Sequence, residues 1–133
     1  MNAVDTNVLI YACDDRDKVK QEQALHLIET ATPCVMLWQV ACEFIAASRK
    51  LAPRGFTAEQ AWSRLSEFAE LLPVVPPSPA ALQMARELHV KRQVAFWDAV
   101  LIAGCLDCGV RTLYSEDVPA VSIPNLQVVD PFA

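Results

Sequence analysis

Short apolar runs alternate along this chain with longer stretches whose apolar residues recur every three or four positions. Asn2-Ala3-Val4 is a short strand candidate. Asp5-Thr6-Asn7 follows, three side chains that can all cap a helix, and Val8 to Ala12 begins one. From about Lys18 to Ala31, Ala24, Leu25, Leu27 and Ile28 fall at helical spacing, and Pro33 stops the run. Cys34 to Leu37 reads as a buried strand. Helical period returns from Gln39 to Lys50 through Val40, Phe44, Ile45 and Ala47, with Glu43 set among them. Thr57-Ala58-Glu59-Gln60 matches a capping box that opens a helix carried by Ala61, Trp62, Leu65, Phe68 and Leu72. The prolines of Pro73 to Pro77 confine Val74-Val75 to the edge or end of a sheet. Ser78-Pro79 supplies an N-cap and a first-turn proline for a helix to about Lys91. Phe96 through Leu106 is apolar nearly all round apart from Asp98, as expected of a buried helix, and Gly109 offers its stop. Val110 to Tyr114 and Leu126 to Val129 are the last strand candidates.

Strands alternating with helices predict an α/β fold, a central parallel sheet with helices on both faces. In such sheets the working crevice lies at the carboxyl ends of the strands, where the winding reverses. The 133 residues suit one domain spanning 1–133, and only three glycines leave little room for flexible linkers. There is no internal repeat. With 53% apolar and 20% charged residues the profile is that of a globular protein. The first residues do not read as a secretory signal, and no uncharged apolar segment approaches the roughly 18 residues of a membrane span. Five cysteines without a framework spacing suggest reduced thiols, so a cytoplasmic location with no membrane partner is expected.

Four acids stand out by position. Asp5 follows the first strand at once. Asp117 follows the Val110 to Tyr114 strand within Ser115-Glu116-Asp117. Asp98 opens an apolar helix, and Glu43 has Cys42, Phe44 and Ile45 beside it. Each has an ordinary explanation as well. Asp5 and Asp98 can serve as caps or first-turn residues, worth about 0.3–2 kcal/mol each. Asp117 can be a turn residue, and Glu43 can reach water from the margin of its helix. The set carries the argument.

At these places the chain resembles the PIN-domain nucleases, in particular the VapC-like toxins of bacterial toxin–antitoxin pairs. The resemblance reads V-D-T-N-V-L-I-Y-A at Val4 to Ala12, A-C-E-F at Ala41 to Phe44, F-W-D-A-V-L-I-A at Phe96 to Ala103 and L-Y-S-E-D at Leu113 to Asp117. The first and third segments are the most specific. What it implies is a PIN-like three-layer fold, acids gathered at one end of the sheet, and cleavage of RNA dependent on magnesium or manganese. Position by position, Asp5, Glu43, Asp98 and Asp117 match the family's acidic set. Asp5, Asp98 and Asp117 are the expected metal ligands, and Thr6, Asn7 and Ser115 the expected supporting residues. Glu116 ranks below Asp117. A homodimer and an antitoxin partner are implied too, with modest support from the alanine-rich segments Val40 to Ala47 and Ala80 to Ala85.

The physical rationale stands apart from the family. Two like charges ~4 Å apart repel by ~4 kcal/mol at a surface-like dielectric, so clustered carboxylates need cations or protons between them. Hard oxygen donors without histidine select magnesium or manganese over zinc. The net charge of −5 runs against a nucleic-acid partner. Neutralising four carboxylates leaves the remainder nearly neutral, with basic groups at Arg49, Lys50 and Arg54 and at Arg86, Lys91 and Arg92.

Two other classes compete. A haloacid-dehalogenase-like phosphatase or a receiver domain also places aspartates at strand ends. The first should carry an aspartate where this chain has Asn7, and the second paired acids near its first strand and a later lysine, neither of which is evident. A non-catalytic binding module of the same fold is the other. The Cys105-x-x-Cys108 pair lacks the companions of a zinc site, the two histidines are isolated, and Trp38, Trp62 and Trp97 read as packing or interface residues.

Overall fold

The computed structural model describes residues 1–119 and 122–133. Five strands form one sheet: β1 (Asn2–Val4), β2 (Cys34–Leu37), β3 (Val74–Val75), β4 (Thr112–Tyr114) and β5 (Gln127–Val129). Their spatial order is β3-β2-β1-β4-β5, with every pairing parallel. Six α-helices accompany them: α1 (Thr6–Ala12), α2 (Lys18–Thr30), α3 (Trp38–Ala47), α4 (Ala58–Leu71), α5 (Pro79–Lys91) and α6 (Phe96–Asp107).

The order of strands decides where chemistry can sit. From β1 the chain steps outward to β2 and β3, then returns across the sheet to β4 and β5. Right-handed crossovers in opposite directions put α1 to α4 on one face and α5 with α6 on the other. The observed packing agrees: α1 meets α2 and α3, α3 meets α4, and α5 runs along α6. The reversal falls between β1 and β4, so their carboxyl ends flank the crevice. Their register is closed by the Asp5 amide, which donates to the Tyr114 carbonyl at 2.9 Å.

The core is drawn from both periodicities. All four residues of β2 are buried, as a strand covered on both faces requires. Helix α6 buries Ala99, Leu101, Ile102, Ala103, Gly104 and Cys105, and at Gly104 it approaches so closely that an added Cβ would lie 3.1 Å from Leu37 Cδ1.

Several boundaries differ from the sequence reading, each for a local reason. The helix expected from Gln39 to Lys50 ends at Ala47 and tightens into a 3-10 segment, Ser48–Arg54. Ser48 Oγ donates back to the Ile45 carbonyl at 2.7 Å, and Pro53 has no amide with which to continue an α-helix. Ser78 precedes α5 with extended backbone but does not cap it through its side chain. Its hydroxyl and amide instead donate to Asp107 at 2.6 and 2.9 Å, tying the start of α5 to the end of α6. The α4 capping box forms as written: Thr57 Oγ1 accepts from the Gln60 amide, and the Gln60 side chain accepts from the Thr57 amide. Val74-Val75 does lie at the sheet edge. Helix α6 is not buried all round, since Phe96 and Trp97 stand out from its first turn at 46% and 66% exposure. Among the described residues no helix is long and apolar enough to cross a membrane.

Candidate active site

Asp5 leaves β1 and caps α1, its Oδ1 accepting from the Thr6 amide at 2.7 Å. Its other oxygen accepts from Ser115 Oγ at 2.6 Å, across the switch point from the end of β4. That Ser115 oxygen in turn accepts from the amides of Asp117 and Val118 at 3.2 and 3.1 Å. One buried hydroxyl therefore fixes both the first acid and the loop that bears the last.

The neighbouring positions of α1 complete the frame. Thr6 Oγ1 donates to Glu43 Oε2 at 3.1 Å, and Asn7 Nδ2 donates to Asp117 Oδ2 at 3.2 Å. Glu43 reaches the crevice from α3, where Gln39 one turn earlier donates to its Oε1 at 2.7 Å and to the Trp97 carbonyl at 3.4 Å. Asp98 projects from the first turn of α6. Asp5, Glu43, Asp98 and Asp117 all line one cleft of about 730 Å³, with Thr6 and Asn7 between them. Folding thus brings together the four acids expected from sequence. Of the three supporting residues, Thr6 hydrogen-bonds to both Asp5 and Glu43, Asn7 to Asp117 and Ser115 to Asp5.

The electrostatics are those of crowded negative charge. Burial pushes the Asp5 carboxyl above the ordinary carboxylate value; the Ser115 and Thr6 donors pull against that, while Glu43 and Asp117 add to it. Asp98 is raised as well, first by burial and then by Asp117 and Glu43. Among the described residues none of the four forms an ion pair. Glu116, which also lines the cleft, differs in that Lys20 holds it at 2.7 Å and lowers its pKa, with the Tyr11 hydroxyl helping. Among the described residues Asp117 has no such cation beside it.

The donor set fits a hard divalent cation in its chemistry. The four acids supply oxygen only, and the buried Asn7 Oδ1 beside them has no hydrogen-bond partner. Among the described residues no three acidic, histidine or cysteine groups already converge on a point that would enclose an ion. Asp5, Glu43 and Asp117 each take donors from the protein, which hold the like charges in place along the cleft.

A second cleft, apolar and about 580 Å³ in volume, adjoins the first, sharing Gln39, Glu43, Ala46 and Trp97 with it. Trp38 and Trp97 line it at 55% and 66% exposure. They are not core packing residues, and neither is the similarly exposed Trp62. The proposed basic groups are mostly engaged: Arg54 with Asp15, Arg86 and Lys91 with Glu87, and Arg92 with the Ser122 carbonyl. Lys50 and Arg16 line the acidic cleft. Sequence reading missed Gln39, though its spacing of one helical turn from Glu43 was a usable signal. It also missed Tyr11 and Lys20, for which no local pattern exists.

Comparison with known proteins bears on the fold and the family. No curated protein matches the chain. Among solved structures, a toxin–antitoxin complex from Klebsiella pneumoniae superposes with a TM-score of 0.72 at 19% identity, covering 98% of both chains. VapBC2 from Rickettsia felis, bound to a DNA fragment from its promoter, gives 0.70 at 19% identity over 96% of both chains. VapBC-1 from nontypeable Haemophilus influenzae gives 0.67 at 18% identity over 99% of this chain and 98% of its own. At such identities the likeness is one of fold. The PIN domain family model matches residues 3–118, from within β1 to just beyond Asp117 and so across all four acids, and the chain therefore belongs to the PIN-domain family.

Proposed function

We propose that this chain is a metal-dependent endoribonuclease, a single PIN-like domain over residues 1–133 acting as the toxin of a toxin–antitoxin pair. The observation that carries the reading is the common cleft of Asp5, Glu43, Asp98 and Asp117, four acids that among the described residues have no cationic side-chain partner. PIN-domain toxins are generally nucleases, and PIN-domain nucleases generally use divalent metals.

Asp5, Asp98 and Asp117 would hold magnesium or manganese. When bound, the ion supplies Lewis-acid activation of water and neutralises charge developing on the phosphodiester. The chain's own residues orient the reaction. Ser115 and the Thr6 amide fix both oxygens of Asp5, so its remaining lone pairs keep one direction. Thr6 and Gln39 fix Glu43, which is placed to orient or accept a proton from an attacking water. Asn7 holds Asp117 from the floor of the cleft. Lys50, which lines the cleft, would offer positive charge to a backbone phosphate, whereas Arg16 in the same lining is paired with Asp14 at 2.6 Å.

The partner proposal rests on the apolar cleft beside the acids. A bound antitoxin segment would cover Trp38 and Trp97 and obstruct Glu43 together, and the similar folds are found in toxin–antitoxin complexes. A second copy of this chain forming a homodimer is proposed on the exposed apolar residues outside that cleft, such as Leu82 and Val90 on α5.

Asp5→Asn tests the catalytic reading. The variant should stay folded by circular dichroism and lose manganese-dependent cleavage of a labelled RNA by about a thousandfold, the usual range for removing a group that acts in the transition state. Undiminished cleavage by a contaminant-free variant would end the assignment. A wild type that binds manganese tightly through Asp5 yet cuts no RNA would favour the non-catalytic module.

A further inference from the structure

The loop that carries Asp117 has no secondary structure of its own, yet it meets α2 through a side-chain group outside the acid set. Lys20 Nζ lies 2.7 Å from Glu116 Oε1 and 3.1 Å from the Tyr11 hydroxyl, which itself donates to Glu116 Oε2 at 2.7 Å. The three groups close a triangle. Lys20 also rests on two aromatic faces, 4.5 Å from the centre of the Tyr11 ring and 5.5 Å from that of Phe132. Those rings meet edge to face at 4.8 Å, which brings the C-terminal segment into the same cluster.

This is more than a surface ion pair. The two charged side chains are 29% and 27% exposed, and the residues they join are 96 apart in sequence. The pair also divides the charges of the cleft. Glu116 lines the same wall as Asp117 but has its cation inside the protein, so the adjacent carboxylate faces the cleft without one. Ser115 secures the amides of Asp117 and Val118 from one side of the loop; the Lys20–Tyr11–Glu116 triangle secures the intervening side chain from the other.

We propose that Lys20 is a positioning residue: by pairing with Glu116, with Tyr11 shared between them, it locks the Ser115–Asp117 loop so that the Asp117 carboxylate is presented to the cleft. Its effect on metal rests on the reading under Proposed function, whereas its effect on the loop does not.

The experiment separates the two. Amide hydrogen exchange at Asp117 and Val118, followed by NMR without divalent ions, should quicken by about tenfold or more in Lys20→Met, the loss expected of one hydrogen bond to a charged group. Lys20→Arg, which keeps the charge and the donors, should restore it. In manganese titrations of RNA cleavage, Lys20→Met should raise the half-saturating concentration by about fivefold while kcat at saturating manganese stays within about twofold. Should Lys20→Met fold poorly, Tyr11→Phe removes one side of the triangle and is read by the same two measurements. Unchanged exchange, or exchange that Lys20→Arg does not restore, overturns the proposal. So does a fall in kcat at an unchanged manganese midpoint. If the wild type binds no manganese, the metal reading fails and exchange alone decides the role of Lys20.

Discussion

Ser115→Ala is the perturbation with the most to lose, because the single hydroxyl of a residue only 1% exposed serves three partners. It donates to Asp5 at 2.6 Å and accepts from the amides of Asp117 and Val118. A hydrogen bond to an ionised group contributes about 1.5–3 kcal/mol, and a buried amide left without an acceptor costs about 1–3 kcal/mol. The Asp117 amide sits on an exposed residue and can turn to water, so the orphan to count is that of Val118. A loss of about 3 kcal/mol at neutral pH follows, without divalent ions, and urea unfolding would show it as a lower midpoint at an unchanged slope. The loss should also depend on pH. Asp5 holds its proton more tightly folded than unfolded, so its contribution to stability is full below the ordinary 3.8 and disappears as the pH rises through the folded value. Removing the Ser115 donor raises that folded value further. The penalty of the substitution is therefore largest above the variant's raised pKa and shrinks as the pH falls through it and then through the wild-type value. Near pH about 3.5 only the neutral hydrogen bond and the amide remain to be lost, and the cost should drop by about 1 kcal/mol. A cost below about 0.5 kcal/mol at neutral pH, or one that stays flat with pH, would refute the claim that this hydroxyl restrains an ionised Asp5.

Asp98→Asn should raise the melting temperature of the metal-free protein, because it removes a carboxylate whose charged form is opposed by burial and by Asp117 and Glu43. The same variant should lose most of the stabilisation by manganese seen in the wild type, about 2.7 kcal/mol at a hundredfold excess over Kd; differential scanning fluorimetry with and without the ion reads both effects. Thr57→Ala removes the hydroxyl half of the α4 capping box, the acceptor for the Gln60 amide, and should cost about 1 kcal/mol in urea unfolding while leaving RNA cleavage unchanged, since this cap lines neither cleft at the acids.

The α4 capping box, the proline-limited edge strand at Val74-Val75 and the alternation that demands a parallel sheet are interactions within a few residues, and all were legible along the chain. The acid set was legible too, because Asp5 and Asp117 follow strands at once and Asp98 interrupts an apolar helix. What local pattern cannot encode is a partner dozens of residues away. Ser78 is written as a helix cap, but it is drawn off by Asp107. Helix α6 is written as buried, yet its first turn projects at the mouth of the clefts, where Phe96 and Trp97 stand exposed.

Sequence by itself determined which residues are able to ligate a hard ion and that Asp5 and Asp117 follow strands while Glu43 and Asp98 lie on helices, since residue type and element type are local properties. Only the tertiary structure decided how their charges are apportioned. Glu116 and Asp117 are adjacent acids in one loop, and nothing in their spacing separates them. The parallel register of β1 with β4 and the packing of α2 against α1 bring Lys20 and Tyr11 to one and Asn7 to the other. A charge is defined by what surrounds it, and those surroundings come from distant segments that meet only in the folded chain.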